Sequence, residues 1–466
     1  MLFNSLSFLY CFLPLSYLAF HVVKSKEYRY VCMTVCGYVF YSFWNYKFCS
    51  LMLFSTLVSY FAGRGMLAWD DPRRRRLCLV VPITIDLLLL GFFKYANFGL
   101  SIVAEAAKRL ELPISVPVLS IVLPIGISFY TFHTITYVVD CYRRVITPTR
   151  NFFEFSCYVS LFPQLIAGPI VRFRQVEADL ENIDQVDRSE NHRLGWSFFT
   201  LGMIKKVLIA DTLAAMIDPA LLRYESLTTL DAWLCMLGYT YQLYFDFSGY
   251  CDMAVGLGHL FGIRLPQNFN SPYKALDPSD FWRRWHISLS TCLRDYLYIP
   301  LGGSRGSDFQ TYRNLMITML LGGMWHGANW TFLVWGFYHG LLLSLHRYLA
   351  RFWDPLPRVL RNVTMMMLVV VGWVFFRSES ITMASSMLDR MFVLPLSDGW
   401  GFSLPWAPSL VIVLAASALV AHGLRNTFEL RHDWGLPAAI GLAVMFGVCM
   451  VVIYGSNSSP FLYFQF

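Results

Sequence analysis

The chain has 466 residues, of which 56% are hydrophobic and only 14% are charged, and its formal net charge is +7. Soluble proteins carry about 25% charged residues, so this chain could not cover a water-exposed surface of its own. A lipid bilayer removes that need, and the 17% aromatic content fits because Trp and Tyr favour the lipid–water interface. The composition excludes an ordinary soluble enzyme and predicts an all-α, polytopic integral membrane protein.

The charge and the cysteines do not indicate nucleic-acid or metal binding. The positive charge is spread over short loops, where a membrane protein needs it for orientation. The eleven cysteines stand singly, without a Cys-x-x-Cys pair, and no phosphate-binding loop or His-Glu-x-x-His motif occurs. We therefore expect no nucleic-acid partner, no metal and no bound cofactor.

Apolar stretches recur along the whole chain, and a spanning helix needs about 20 such residues. The candidate spans are residues 2–23, 30–46, 48–63, 77–98, 116–139, 152–171, 194–217, 230–261, 315–345, 359–376, 410–422 and 436–454. Some of the long stretches hold two helices or a bent one, and some of the short ones are re-entrant. We predict about eight to twelve membrane helices in one membrane-embedded domain over residues 1–466.

Basic loops predict the orientation of the first five spans. Cytoplasmic loops carry an excess of Lys and Arg, and residues 73–76 are four consecutive arginines. We therefore expect residues 73–76 in the cytoplasm. Residues 101–115 carry only two basic residues, and we expect them outside together with the N-terminus.

Residues 277–298 are predicted to form one amphipathic helix. Asp277 is a typical N-cap, Pro278 suits the first helical position and Asp280 suits the first turn. The apolar side chains then share one face while the arginines lie off it, as in a helix at the membrane interface. His286 falls at the border between the two faces, where it is either functional or incidental.

A second histidine, His326, lies between glycines in the apolar segment LLGGMWHGANW at residues 320–330. Ionisable residues at membrane depth are costly and face a cavity or a partner, and glycines let a backbone or a substrate come close. A neutral imidazole, with an unperturbed pKa of about 6.5, can accept a proton at pH 7. A structural histidine bonded to a helix carbonyl explains the segment equally well.

Two acids, Asp246 and Asp252, interrupt another apolar run. Their spacing of six residues points them to different faces of a regular helix. An ion pathway is one interpretation, and we favour a structural polar role.

Three segments together resemble the membrane-bound O-acyltransferase (MBOAT) family. They read WRRWHISLS at residues 282–290, RDYLYIPLGG at 294–303 and MWHG at 324–327. Similar segments elsewhere are LPIGISFYTF at 123–132, FPQLIAGPI at 162–170 and NFNSPY at 268–273. Gln164, Ala167 and the C-terminal PFLYFQF at 460–466 resemble the bacterial alginate O-acetyltransferase branch of that family.

By this resemblance, His326 occupies the position of the family's catalytic histidine and His286 that of its second histidine. Residues near them in the same motifs are candidates for substrate binding: Trp325, Asn329, Arg294, Asp295 and Tyr298. The resemblance also implies re-entrant and interfacial helices, and a ring of membrane helices around a central tunnel.

The function implied by the resemblance is O-acyl transfer in the bacterial inner membrane. An acetyl group would pass from a cytoplasmic thioester, acetyl-CoA being the expected donor, to an exported polysaccharide such as alginate or cellulose. A periplasmic O-acetyltransferase protein is the expected partner for the final step. The alternatives are D-alanyl transfer to teichoic acid from a carrier protein, a transporter or flippase with a proton relay, and a non-catalytic scaffold.

Overall fold

The computed structural model describes residues 1–113, 115–392, 401–455 and Leu462. Helices are the regular elements of this part of the chain, and it contains no strand. The all-α prediction is therefore confirmed. The C-terminal motif at residues 460–466 lies outside the described residues, apart from Leu462.

The α-helices up to residue 181 are α1 (Leu13–Val22), α2 (Lys26–Asn45), α3 (Cys49–Ala68), α4 (Pro72–Leu90), α5 (Ala96–Arg109), α6 (Ile127–Tyr142), α7 (Phe152–Ser160), α8 (Phe162–Leu165) and α9 (Phe173–Glu181). The later ones are α10 (Arg188–Met203), α11 (Asp211–Leu221), α12 (Thr229–Leu260), α13 (Pro278–Arg284), α14 (Ile287–Leu293), α15 (Asp308–His326), α16 (Trp330–Trp353), α17 (Arg358–Arg377), α18 (Ile381–Phe392), α19 (Ala407–Ala418) and α20 (Leu436–Gly455).

Four helical stretches of the described chain are long and apolar enough to cross a membrane: Lys26–Ala68, Pro72–Arg109, Arg358–Arg377 and Leu436–Gly455. The first of them contains α2 and α3, and the second contains α4 and α5. Two shorter apolar stretches, Phe8–Val22 and Ala407–Gly423, accompany them. These helices fit the multi-pass membrane architecture that the composition predicts.

The chain divides into two compact units, and the prediction of a single domain stays a prediction. The first unit comprises Met1–Trp196 and Ala254–Pro266. In it, a buried acid joins three helices: Asp86 on α4 accepts hydrogen bonds from Ser55 on α3 at 2.6 Å and from Thr134 on α6 at 2.7 Å. A buried carboxylate is stable only when it is hydrogen-bonded or paired, which these hydroxyls achieve.

A buried, largely non-helical segment follows α7 in the first unit. It contains the four-residue helix α8 and continues without regular structure over residues 166–172, all of them buried. Gly126, at φ 78°, lies against this segment, and a Cβ there would be 2.7 Å from the carbonyl oxygen of Leu165. Non-helical backbone at membrane depth is tolerated where protein covers it, so the segment suits one of the re-entrant elements that the family resemblance implies.

The second unit comprises Ser197–Met253 and Gln267–Phe466. Its helices α15 and α16 form a tightly packed hairpin. A Cβ on Gly323 would lie 2.3 Å from the carbonyl oxygen of Phe332, and one on Gly336 would lie 2.4 Å from that of Met319. The glycines therefore allow the two helix backbones to approach each other, as in other membrane helix pairs.

Two consecutive lysines in the second unit form ion pairs with two acidic residues of α12, Asp246 and Asp252. Lys206 Nζ lies 2.5 Å from Asp246 and 2.8 Å from Asp211. Lys205 Nζ lies 2.5 Å from Asp252. Asp246 and Asp252 therefore serve two separate ion pairs, which supports the structural role that we favoured for them.

Candidate active site

His286 lies at a break between α13 and α14. The predicted N-cap is confirmed, since the side chain of Asp277 accepts a hydrogen bond from the Asp280 N–H at 2.7 Å. However, α13 ends at Arg284, and His286 takes a φ of 43°, in the left-handed region that is uncommon for residues other than glycine. The prediction of one continuous helix over residues 277–298 is wrong, and the break buries His286 completely instead of leaving it at a border between faces.

Backbone hydrogen bonds to a neighbouring segment stabilise this break. The Ile287 N–H donates to the carbonyl of Asn268 at 2.9 Å, and the Asn270 N–H donates to the carbonyl of Arg284 at 2.9 Å. Buried backbone groups need such partners once helical bonds are lost. Hydrogen bonds to residues 268–270 therefore take the place of hydrogen bonds that a continuous helix would make here.

The side chain of Asn268 also reaches His286. Its Oδ1 accepts hydrogen bonds from the Ser288 N–H at 3.1 Å and from the Ser288 hydroxyl at 2.8 Å, and lies 3.2 Å from His286 Nδ1. Its Nδ2 donates to the sulfur of Cys251 at 3.2 Å. One nitrogen of the His286 ring is thus held by protein, whereas the other, Nε2, has no hydrogen-bond partner in the described part of the chain.

His326 is the last residue of α15. Gly327 leaves the helix in an extended conformation, and a Cβ on it would lie 2.1 Å from the Phe332 ring. Asn329 then caps α16 by accepting a hydrogen bond from the Thr331 N–H at 3.1 Å. The glycine and the cap produce a sharp turn that leaves the His326 side chain buried, with 5% of the residue exposed.

The structure brings the two histidines together. Their ring centroids are 6.5 Å apart, and Trp325 lies 6.1 Å from the His286 ring and 5.0 Å from the His326 ring. Trp335 and Phe376 pack edge-on against His326 at 5.0 and 5.2 Å. The pair therefore lies in aromatic surroundings, where little water competes for the ring nitrogens.

Two buried imidazoles can perform proton transfer or nucleophilic catalysis. Among the residues that the structure describes, no group of three or more His, Cys, Asp or Glu side chains is placed to hold a metal ion.

The remaining predicted site residues lie in two places. The side chain of Asn329 caps α16 through Oδ1, and its Nδ2 donates to the carbonyl of Glu379 at 2.8 Å. Arg294 and Asp295 pair with each other at 2.7 Å on the turn Arg294–Tyr298, which begins about 12 Å along the helix axis from His286. Of the five candidates for substrate binding, Trp325 is the one with ring contacts to both histidines, and all five assignments stay predictions.

Sequence reasoning did not single out several side chains that surround the pair. They are Asn268, Phe247, Phe269, Trp335 and Phe376. Asn268 belongs to the segment NFNSPY, whose resemblance to the family was a usable signal. Phe269 belongs to the same segment. Phe247, Trp335 and Phe376 gave no signal, because 17% of the chain is aromatic and most such side chains fill the core or face lipid.

The MBOAT, membrane-bound O-acyltransferase family model matches residues 142–387, which include both histidines. The chain belongs to this family. It is therefore an O-acyltransferase, and its apolar helices make it a multi-pass membrane protein.

Two relatives of this acyltransferase match it over most of both chains. It is 44% identical to the probable alginate O-acetylase AlgI of Pseudomonas aeruginosa, over 94% of this chain and 84% of that protein. It is 34% identical to the peptidoglycan O-acetyltransferase of Helicobacter pylori, over 100% of this chain and 98% of that one. The teichoic acid D-alanyltransferase of Streptococcus thermophilus is 30% identical, but over 48% of this chain and 56% of its own. The resemblance to the alginate branch is thus confirmed.

Proposed function

We propose that this acyltransferase O-acetylates an exported polysaccharide. The observation that carries the proposal is that His286 and His326 form a buried pair. Two relatives, matched over 84% and 98% of their own length, are named for O-acetylation of alginate and of peptidoglycan. Alginate and cellulose are candidate acceptors, since both expose hydroxyls to an acetyl donor.

The proposed reaction moves an acetyl group from a thioester to a hydroxyl. The hydroxyl oxygen attacks the thioester carbonyl, a C–O bond forms and the C–S bond breaks. The hydroxyl proton passes to the imidazole of His326 and then to the leaving thiolate, which departs as a free thiol. In the covalent version, a ring nitrogen of His326 attacks the thioester carbonyl, the C–S bond breaks and the thiolate leaves with the ring proton. The hydroxyl oxygen then displaces the imidazole from the acetyl group, and the hydroxyl proton returns to the ring. His286, 6.5 Å away by ring centroids, orients or binds the reacting groups.

The proposed donor is acetyl-CoA, which reaches the enzyme from the cytoplasmic side of a bacterial inner membrane. A thioester supplies the acetyl group without a resident cofactor. A periplasmic O-acetyltransferase protein is the proposed partner for the final transfer to the polymer. Trp325, Arg294, Asp295, Tyr298 and Asn329 are the proposed substrate-binding residues, and Trp325, with its contacts to both histidine rings, is the strongest of them.

D-alanyl transfer to teichoic acid is the second candidate. It is supported by the match of about half of this chain to the Streptococcus thermophilus D-alanyltransferase. The two candidates differ chemically, because D-alanyl transfer places an amine on the acceptor and uses a carrier protein as donor.

The test uses membranes from cells that contain or lack this chain. They are incubated with acetyl-CoA labelled in the acetyl group, and free thiol and ester-bound label are measured. We expect chain-dependent release of thiol together with label in an alkali-labile ester. Ester formation only from a D-alanyl carrier protein would favour the second candidate, and the absence of thiol release from any thioester would contradict acyl transfer and favour a transporter.

A further inference from the structure

The amide of Asn268 has one orientation that its neighbours allow. The Ser288 backbone N–H can only donate, so the amide atom 3.1 Å from it must be the oxygen Oδ1. The amide nitrogen then faces Cys251, whose sulfur lies 3.2 Å away and accepts a weak hydrogen bond. Asn268 is 1% exposed, so solvent does not offer a competing arrangement.

This orientation determines which nitrogen of His286 carries the proton. Oδ1 can only accept, and it lies 3.2 Å from His286 Nδ1. The Ser288 hydroxyl is farther from Nδ1, at 3.5 Å, and donates its proton to Oδ1 at 2.8 Å, so Nδ1 is the N–H donor to Oδ1. The lone pair of the neutral ring is then on Nε2. Nε2 is buried and has no hydrogen-bond partner in the described part of the chain, which leaves it available to a bound molecule.

We infer that Asn268 is a positioning residue: it holds His286 in the tautomer with the lone pair on Nε2, and Nε2 accepts a hydrogen bond from a second hydroxyl of the acyl acceptor, not from the one that gives its proton to His326. The use of Nε2 rests on the proposed acyl transfer, whereas the tautomer does not. The Ile287 N–H bond to the Asn268 carbonyl fixes the same segment through the backbone and survives any side-chain substitution at Asn268.

Two substitutions at Asn268 separate positioning from packing. Asn268→Ala removes the acceptor from Nδ1, and the reaction should slow by about tenfold to a hundredfold, as expected for loss of a buried hydrogen bond. Asn268→Asp keeps an acceptor beside Nδ1 and should restore most of the rate.

Asn268→Asp should also shift the pH profile. Its carboxylate stabilises the doubly protonated His286 ring, which lacks the lone pair, so activity should be lost at a higher pH as the solution is acidified. The other titratable groups next to this site are His326, whose ring is 6.5 Å from that of His286, and Cys251, which contacts Asn268. Phe247 and Phe269 cover the His286 ring and do not titrate.

The tautomer is measured directly by ¹⁵N spectra of histidine-labelled protein in lipid nanodiscs. The His286 signals are those lost in His286→Gln. We expect a protonated Nδ1 and an unprotonated Nε2 in the unsubstituted protein, and a mixture of tautomers in Asn268→Ala. A protonated Nε2 in the unsubstituted protein would overturn the inference. This readout needs no substrate, so a failure of the proposed polysaccharide acetylation leaves the tautomer still tested.

Asn314 provides the matched control for the activity measurements. It is equally buried at 1% exposure and donates to the backbone carbonyl of Gly303 at 2.9 Å. Asn314→Ala should leave the pH profile unshifted even if the protein becomes less stable. If Asn268→Ala does not accumulate, the pH profile of Asn268→Asp and the ¹⁵N spectra of the unsubstituted protein test the inference. A normal rate in Asn268→Ala, or an unshifted acid limb in Asn268→Asp, would contradict the inference.

Discussion

The ring of His326 is packed against Trp325, Trp335 and Phe376, so its surroundings are apolar on several sides. A proton that the ring takes from a hydroxyl meets few competing acceptors there, and the developing charge is not dispersed by bulk water. This is the physical reason for preferring a catalytic role over an incidental one.

Removal of the His326 imidazole should stop the chemistry without unfolding the protein. We expect His326→Ala to lower the rate of thiol release by about 10²- to 10⁴-fold, the usual contribution of a general base. His326→Gln keeps the size and a hydrogen-bonding group but cannot take the proton, and should fail as well. The measurements are the rate in isolated membranes and the amount of inserted protein.

His346 is the comparison residue for this prediction. Its side chain is 14% exposed and lies 4.0 Å from Asp277 and 3.9 Å from Asp354, near the end of α16. His346→Ala should retain activity. If both His326 variants are inserted and remain active, the proposed mechanism is wrong, whereas loss of the inserted protein itself would indicate a structural histidine.

At the scale of elements, the crossing of α15 and α16 tolerates a methyl group at one glycine but not at its neighbour. A Cβ on Gly323 would lie 2.3 Å from the backbone oxygen of Phe332, whereas one on Gly322 meets only the flexible end of Leu293, at 3.1 Å. We expect Gly323→Ala to cost about 1–3 kcal/mol of stability through overpacking. Gly322→Ala should be neutral or gain up to about 1 kcal/mol from helix propensity. Thermal unfolding in detergent compares the two, and equal melting temperatures would argue against the close crossing.

Breaking the buried ion pair of Lys206 should cost more stability than breaking an exposed ion pair. Lys206 is 2% exposed in its side chain, and Lys206→Met would leave the equally buried Asp246 uncompensated. Breaking a buried pair in this way costs about 3–5 kcal/mol. Arg109→Met breaks an exposed pair with Glu105 and should change stability by less than about 0.5 kcal/mol. Similar denaturation midpoints for both variants would contradict the assignment of Lys206 as a structural cation.

Apolar length and helical periodicity predicted most of the helices well. The candidate spans 30–46 and 436–454 correspond to α2 and α20 within a few residues. Residues 315–345 hold two helices, as expected for some of the long stretches, because Gly327 and the cap at Asn329 turn the chain. The prediction for residues 277–298 failed where tertiary contacts override periodicity, because Asn268 and Asn270 bond to the backbone there.

The two histidines of the site could be predicted from the sequence, whereas the contact of His286 with Asn268 could not. His326 and His286 stood out because ionisable rings in apolar sequence need an explanation, and their segments resemble a known family. The hydrogen bond between Asn268 and His286 joins residues 18 positions apart in the chain, and the backbone of His286 is in the left-handed conformation. No periodic pattern encodes such a contact, so it needed the structure.

At the scale of the whole molecule, the orientation in the membrane is open to direct measurement. Arg74 and Ser101 are both exposed and lie on opposite sides of the membrane in the topology that the basic loops predict. The native Cys11 is exposed and must be replaced first. In intact cells, an impermeant thiol reagent should label Ser101→Cys but not Arg74→Cys. The reverse pattern would overturn the predicted orientation.

The central claim is that this chain is required, through His326, for O-acetylation of an exported polysaccharide. The measurement that tests it most directly is the alkali-labile acetyl content of the exported polymer from cells that carry the unsubstituted chain, His326→Ala at matched abundance, or no chain. We expect acetylated polymer only with the unsubstituted chain, and polymer of normal amount but without acetyl esters in the other two. Equal acetyl content in all three would contradict the account.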